Sequence, residues 1–480
     1  MRRFATRLLS FTTLATFLVA AASAPRAAAA QDVEPATLSR IRDTALSDDW
    51  AWHQLETLTD TIGPRLSGSP GHAAAVTQVA AAMRELGAEV TLQPVKVPHW
   101  VRGEETGEIV KYAGQPAGVT QRLHLTALGG SGATASGGLT ARVVVVRSFD
   151  ELKARAADVR GSFVLFDVHF DRELAAGGRA ADAYSQASPF RFRGPAEAAA
   201  LGAAAALVRS VGGAEYRLPH TGATSFPAGT QPIPAAALSA EDADLIARLA
   251  TKGAVTLKVT LTPQTLPDAD SFNVIADWRG REKPDEVVIV SGHLDSWDLG
   301  TGAIDDGSGV YATAAVIRVL KALNLRPRRT IRFIAWANEE NGTRGAREYR
   351  KSVEETLHKH AAVIESDSGI GRTLGITATV QFESLAALRP VSDALRPIGA
   401  AALQRRDSDV GTDVSFLQEA GIPGFAPISD TRDYFDYHHT AADTLDKVEP
   451  ENLRMQAATN AVLAYFLAEM PGMLPRYASR

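Results

Sequence analysis

EVVIVSGHLDSWDLGTGAIDDGSGVYATAAVIRVLKALNLRPRRTIRFIAWANEENG, residues 286–342, sets the fold class. Its first six residues, Glu286 to Ser291, form an apolar, β-branched run of strand length. A helical pattern spans Gly307 to Leu323, and a second apolar strand runs from Thr330 to Ala337. Outward from this stretch the rhythm continues, with a helix over Thr343 to Glu355 and a strand over Ala361 to Glu365. Strands alternating with helices predict a largely parallel sheet with helices on both faces. In such sheets ligands collect beyond the carboxyl ends of the strands. His293, Glu339 with Glu340, and Asp367 each fall just past a predicted strand. That coincidence of position says more than any one motif.

Neutral imidazole and carboxylate oxygen suit a borderline divalent cation such as zinc. A lone histidine is more often a core or surface residue than a ligand. His293, however, has Asp295 two residues on, on the same side of an extended chain. There Asp295 can accept the second ring N–H and fix the tautomer. Asp305 lies in GAIDDGSG at a helix start, where an N-cap role is the plain alternative. Its two oxygens can also bridge two cations, and the glycines let backbone come close. Glu339 and Glu340 suit the dipole of a helix start. Beside the other residues, one is expected to bind metal and the other to face the reacting water. Asp367, in IESDSG, alone would read as a turn residue. His438 and His439 lie in DYFDYHHTAADT, and adjacent side chains are expected to point apart, so that only one ligates. His358 and His360 flank a lysine near a helix end and are expected at the surface. The set points to a hydrolytic enzyme with two metals.

The order HxD, GxIDDGSG, NEE, SD and HHxxxDT resembles the co-catalytic zinc exopeptidases. That family includes bacterial zinc aminopeptidases, glutamate carboxypeptidases and the catalytically silent transferrin receptors. KVPHWVRGEE, at 96–105, is similar to the plasma glutamate carboxypeptidase branch. The resemblance covers essentially all of the chain after residue 30. It implies an α/β fold: a zinc-exopeptidase-like, mainly parallel mixed sheet with helices on both faces, plus an inserted β-rich module. VRGSFVLFD, EAAALGAAAALV and IPAAALSAEDADLI make that module similar to a protease-associated domain. The implied cofactor is Zn2+, two per chain. His293 and Asp367 would hold one ion, Glu340 and His439 the other, and Asp305 would bridge them. Glu339 would be the general acid/base, and Asp295 the partner of His293. His439 is preferred over His438 because the family pattern places an acid after three further residues, here Asp443. A cis peptide at Asp305–Asp306 is also implied. One departure is Gly411-Thr412-Asp413, where many aminopeptidase relatives carry Ser-Asp-His in the pocket lining.

The chain has 480 residues, 45% hydrophobic and 22% charged, so it can bury a sizeable core. Residues 1–30 combine Arg2, Arg3 and Arg7, an apolar run from Leu8 to Ala20, and Ala28-Ala29-Ala30. They read as a signal peptide cleaved after Ala30, directing the protein to the periplasm or outside the cell. Cysteine is absent, which excludes disulfides and thiolate ligation. Formal net charge is −5, and no long basic run follows the leader, so nucleic acid is not an expected partner. No membrane partner is expected after leader removal, and a homodimer is compatible with the chain. Residues 31–126 and 263–480 are read as two parts of a catalytic domain, with 127–262 inserted. ALGGSGATASGG, at 127–138, marks the boundary. Within the insertion, Ala141 to Val146, Ser162 to Val168 and Ala206 to Val208 read as strands. Gly194 to Ala206 reads as a helix, and Ser239 as the cap of another. Glu34 to Leu58 reads as one amphipathic helix.

The expected activity is that of an exported dizinc exopeptidase acting on short peptides, as an aminopeptidase or dipeptidase. The alternatives are glutamate carboxypeptidase-type release of C-terminal residues, a non-catalytic receptor-like protein, and a one-zinc glutaminyl cyclase. Retention of all five ligands and the base argues against the receptor. Arg372, Arg405, Arg406 and Arg432 are the candidate contacts for a substrate carboxylate.

Overall fold

A computed structural model describes residues 33–477; the expected leader, residues 1–30, lies outside them. The strand Lys283–His293 organises the larger of two layers. Side chains alternate along it, so Val288 and Val290 face the helices Ser308–Ala322 and Pro450–Glu469. Val287 and Ile289 face the helices Arg344–Ser352 and Thr412–Gln418 on the other side. A strand covered on both faces is apolar throughout, which is why EVVIV has no polar interruption.

The sheet has eight strands, in the order Glu89–Val101, Gln264–Trp278, Arg329–Trp336, Lys283–His293, His360–Glu365, Gly424–Ser429, Thr373–Thr379, Ala402–Arg405. Lys283–His293 runs parallel to both neighbours, and His360–Glu365 runs parallel to Gly424–Ser429. The Gln264–Trp278 strand is antiparallel to Arg329–Trp336, giving the mixed character. Register pairs His293 with Trp336 and Ser291 with Glu365. The carboxyl ends of three adjacent strands are therefore nearly level, and the residues just beyond them share one rim.

A second eight-stranded sheet is built wholly from chain between Glu105 and Leu261. It leaves and returns to the first sheet side by side, since Val101 pairs with Gln264. This corrects the boundary expected at 127. Glu105–Lys111, Gln121–Leu123 and Leu125–Ala127 pair into the second sheet, not the first. The Gly-rich stretch that suggested a boundary instead lies within this layer, bridging to Ala223 and Pro234 through Gly129 and Gly132. Ser239 caps the helix Ala240–Ala250 as expected, its side chain accepting the N–H of Asp242 at 3.3 Å.

Two local expectations also change. The amphipathic stretch from Glu34 is two helices, Pro35–Leu46 and Trp50–Thr57, not one. Asp48 Oδ1 accepts the N–H of Trp50 at 2.8 Å, offering the backbone a local alternative to a continuous helix. His360, expected at the surface, is buried at the start of its strand, where Tyr349 and Thr356 satisfy both ring nitrogens. Among the described residues no helix is long and apolar enough to cross a membrane.

Candidate metal centre

His293 ends its strand 1% exposed, and its Nδ1–H donates to the backbone carbonyl of Asp295 at 2.9 Å. A carbonyl can only accept, so Nδ1 carries a proton and Nε2 is the nitrogen that can give its proton up to a cation. Nε2 faces Asp305 Oδ1 at 3.0 Å and Asp367 Oδ1 at 3.5 Å. The other oxygen of Asp305 faces His439 Nε2 at 3.2 Å and His438 Nε2 at 3.3 Å. His439 Nε2 also lies 2.9 Å from Glu340 Oε2. One carboxylate thus stands between imidazoles from two distant parts of the chain.

The two adjacent histidines do not point apart. Their rings are stacked, with centroids 3.6 Å apart, and both face Asp305. The reason is local: His439 has φ of 58°, which breaks the alternation of an extended chain and turns both rings the same way. His439 Nδ1–H donates to the carbonyl of Thr221 at 3.3 Å, while the Thr221 N–H donates to the His439 carbonyl at 2.9 Å. His438 Nδ1 shares a hydrogen bond of 3.0 Å with His220 Nε2. Residues of the second sheet's layer therefore orient both rings.

The carboxylate of Asp295 is 4.0 Å from the His293 ring and does not take its N–H; the carbonyl of the same residue does. Its oxygens instead accept from Glu339 N at 3.0 Å, Glu340 N at 3.4 Å and Ser67 Oγ at 2.8 Å. Asp443 Oδ1 accepts the N–H of Ile304 at 2.7 Å and its Oδ2 that of Asp305 at 3.3 Å. Asp306 accepts from His293 N and Gly309 N at 3.0 and 3.2 Å. The Asp305–Asp306 peptide is cis. Gly309 is required by close approach, since a Cβ there would collide with the Ser366 carbonyl.

The cluster is short of positive charge. Burial, with repulsion among the acids, pushes Asp306, Glu339, Glu340, Asp367 and Asp413 above the usual carboxylate range. Against its own burial, Asp305 is held well below it by His438, His293 and His439. Asp305 Oδ2 and Glu340 Oε1 are buried with no hydrogen bond of good geometry. His293 with Asp305 and Glu340, and His293 with Asp306 and Asp367, each offer donor atoms within 4.8 Å of one another. Imidazole nitrogen and unsatisfied carboxylate oxygen are a donor set that fits zinc.

A cavity of about 360 Å³ opens onto the cluster, with His293, Asp305, Glu339, Glu340, Asp367 and His439 in its wall. Arg372, Arg405, Arg406 and Arg432 are absent from that wall. Arg432 is tied to Asp430 and Arg405 to Asp407, while Arg372 lines a different cavity. The arginine that does line the site is Arg191, which sequence reasoning missed along with His220 and Thr221. The only hint in the sequence was a polar Pro-His-Thr-Gly run, 219–222, inside an otherwise Ala-rich module.

The profile of Peptidase family M28 matches residues 273–464. Carboxypeptidase Q of Mus musculus and that of Homo sapiens are each 36% identical over 431 residues, covering 89% of this chain and 87% of theirs. The chain belongs to peptidase family M28. Among solved structures, the peptidase M28 precursor of Shewanella amazonensis aligns with a TM-score of 0.86 at 36% identity, over 93% of this chain and 99% of that one. The zinc aminopeptidase of Bacillus subtilis shares the fold, with a TM-score of 0.60 at 23% identity over 86% of this chain and 93% of that one. As an M28 member the protein is a metallo-exopeptidase. The M28 profile spans His293, Glu339, Glu340, Asp367 and His439, and leaves the second sheet outside.

Proposed function

We propose that this protein is an exported dizinc exopeptidase that hydrolyses short peptides from an end. His293 and Asp367 would hold one zinc, Glu340 and His439 the other, with Asp305 shared. The observation that carries this reading is the two-sided contact of Asp305: 3.0 Å to His293 Nε2 from one oxygen, 3.2 Å to His439 Nε2 from the other. Bound there, a zinc pair supplies Lewis acidity to a water and to the scissile carbonyl. Glu339 takes a proton from the attacking water onto its carboxylate and passes it to the leaving amine nitrogen. Asp295 holds the Glu339 backbone so that this carboxylate faces the cavity. Tautomers fixed by the Asp295 and Thr221 carbonyls keep the Nε2 atoms of His293 and His439 free to bind.

The second layer, residues 105–261, is read as a protease-associated-like module that covers the site. Amino-terminal or dipeptide cleavage is the primary reading. Release of a C-terminal residue is the second, supported by the name carboxypeptidase Q carried by relatives at 36% identity. The test is a panel of dipeptides and tripeptides with either terminus blocked, read by mass spectrometry on protein of measured zinc content. The blocked end that abolishes cleavage is the end recognised. Absence of any cleavage by zinc-replete protein would overturn the proposal.

A further inference from the structure

His220 and His438 have no part in the chemistry described so far. His220 is fully buried in the second layer, and His438 stands in the cavity wall beside His439. His438 and His439 bring Nε2 to 3.3 and 3.2 Å from the same oxygen of Asp305, and their rings are stacked. Distance therefore does not decide which of the two binds a cation. The position of their protons does.

His438 Nδ1 and His220 Nε2 share one hydrogen bond of 3.0 Å, so one of these nitrogens donates and the other accepts. The remaining ring nitrogen of His220, Nδ1, is buried without a hydrogen-bond partner. Were His220 the acceptor, its proton would sit on Nδ1, as a buried N–H facing nothing that accepts it. Were it the donor, Nδ1 would be a bare nitrogen. Orphaned buried N–H groups are rarer than under-satisfied acceptors, which favours donation by His220. The residue has little room to find another arrangement. Its backbone N–H is held by Ser210 Oγ at 2.9 Å, and a Cβ on Gly212 would collide with its ring at Cδ2.

With His220 donating, His438 Nδ1 accepts, and the proton of His438 lies on Nε2. A protonated Nε2 offers a cation no lone pair. It faces Asp305 Oδ2 without a well-formed hydrogen bond, but close enough to set an N–H dipole against the carboxylate charge. We propose that His220 is a positioning residue that fixes the Nε2–H tautomer of His438, so that this ring turns an N–H towards the shared carboxylate of Asp305 and leaves zinc ligation to His439. Thr221 acts on His439 in the opposite sense, through a carbonyl that accepts from Nδ1. Consecutive residues of the second layer thus set consecutive rings to opposite tautomers. The ligation half of the proposal rests on the dizinc reading above; the tautomer half does not.

The tautomer is read from proton–nitrogen correlation spectra of the zinc-loaded full chain with isotope-labelled histidine, the His438 signals being those lost in His438→Gln. A proton on Nε2 and a bare Nδ1 are expected. A proton on Nδ1, or zinc at either nitrogen of His438, overturns the proposal. Zinc titration of His439→Ala, alone and combined with His220→Leu, reads the consequence. Loss of the His220 donor frees His438 to move its proton to Nδ1 and ligate in place of His439. The double variant should therefore bind its second zinc roughly fivefold to hundredfold more tightly than His439→Ala, the factor that matches one buried group left unpaired. A merely structural role for His220 predicts equal or weaker binding, and that result overturns the proposal. If the unmutated chain binds no zinc, the function proposed above falls, and spectra of the zinc-free chain still decide the tautomer.

Discussion

The Oδ1 of Asp295 accepts the backbone N–H of Glu339 at 3.0 Å, across 44 residues of chain. Its Oδ2 takes the Ser67 hydroxyl at 2.8 Å. A side chain fully buried beside His293 is thus spent on the segment that carries the two glutamates. Asp295→Ala should strand these donors in a dry environment and destabilise the fold by about 1–3 kcal/mol. The carbonyl that orients His293 survives the change. Turnover should therefore fall at least tenfold or so while zinc content changes little, a smaller loss than for an acid–base residue itself. Denaturant midpoints, kcat and metal analysis on one preparation check this; zinc loss matching the activity loss would contradict it.

Glu339→Gln keeps the shape of the side chain and removes its proton-carrying oxygen. Bound zinc should be unchanged, and kcat should drop by at least about 10²-fold. Near-normal turnover in metal-replete protein would take Glu339 out of the proton transfer.

Asp305 and His439 should differ in how much metal they cost. Asp305 faces both imidazole groups, whereas His439 faces only one side of it. Asp305→Ala should deplete both zinc ions, and His439→Ala about one. Equal depletion, measured by elemental analysis after dialysis, would argue against a shared carboxylate.

His360 gives a pH prediction away from the metal centre. Its Nδ1–H donates to the Thr356 carbonyl at 3.2 Å, so Nε2 accepts from the Tyr349 hydroxyl at 2.9 Å. Burial, opposed by the Thr356 carbonyl, pushes its pKa down to about 4. The unfolded imidazole binds a proton near pH 6.5. Between those values the unfolded chain holds a proton that the folded chain refuses, so stability is full above pH 6.5 and falls as pH drops towards about 4. The loss approaches about 3 kcal/mol. Chelator-treated His360→Gln should lose less stability than chelator-treated parent between pH 7 and 4.5; parallel urea curves would refute the assignment.

The strand ends were readable because each is a local apolar run followed at once by a polar donor, as in VIVSGH and IAWANEE. Which acceptor of Asp295 meets His293 was not readable, because carbonyl and carboxylate belong to the same residue and only the turn geometry chooses between them. The stacked rings of His438 and His439 depend on one backbone angle that residue types do not announce. The insertion began earlier than its Gly-rich texture suggested, since texture marks loops and pairing marks layers. Arg191 and His220 were invisible for a different reason: their partners lie 248 and 218 residues away, beyond any local pattern.

The reciprocal bonds between Thr221 and His439 join the two layers at an imidazole. The Nδ1 edge of that imidazole is held by a segment of the second sheet's layer, so the direction in which Nε2 faces depends on that layer being in place. On the dizinc reading proposed above, damage to that layer would lower zinc uptake on the His439 side of Asp305 more than on the His293 side.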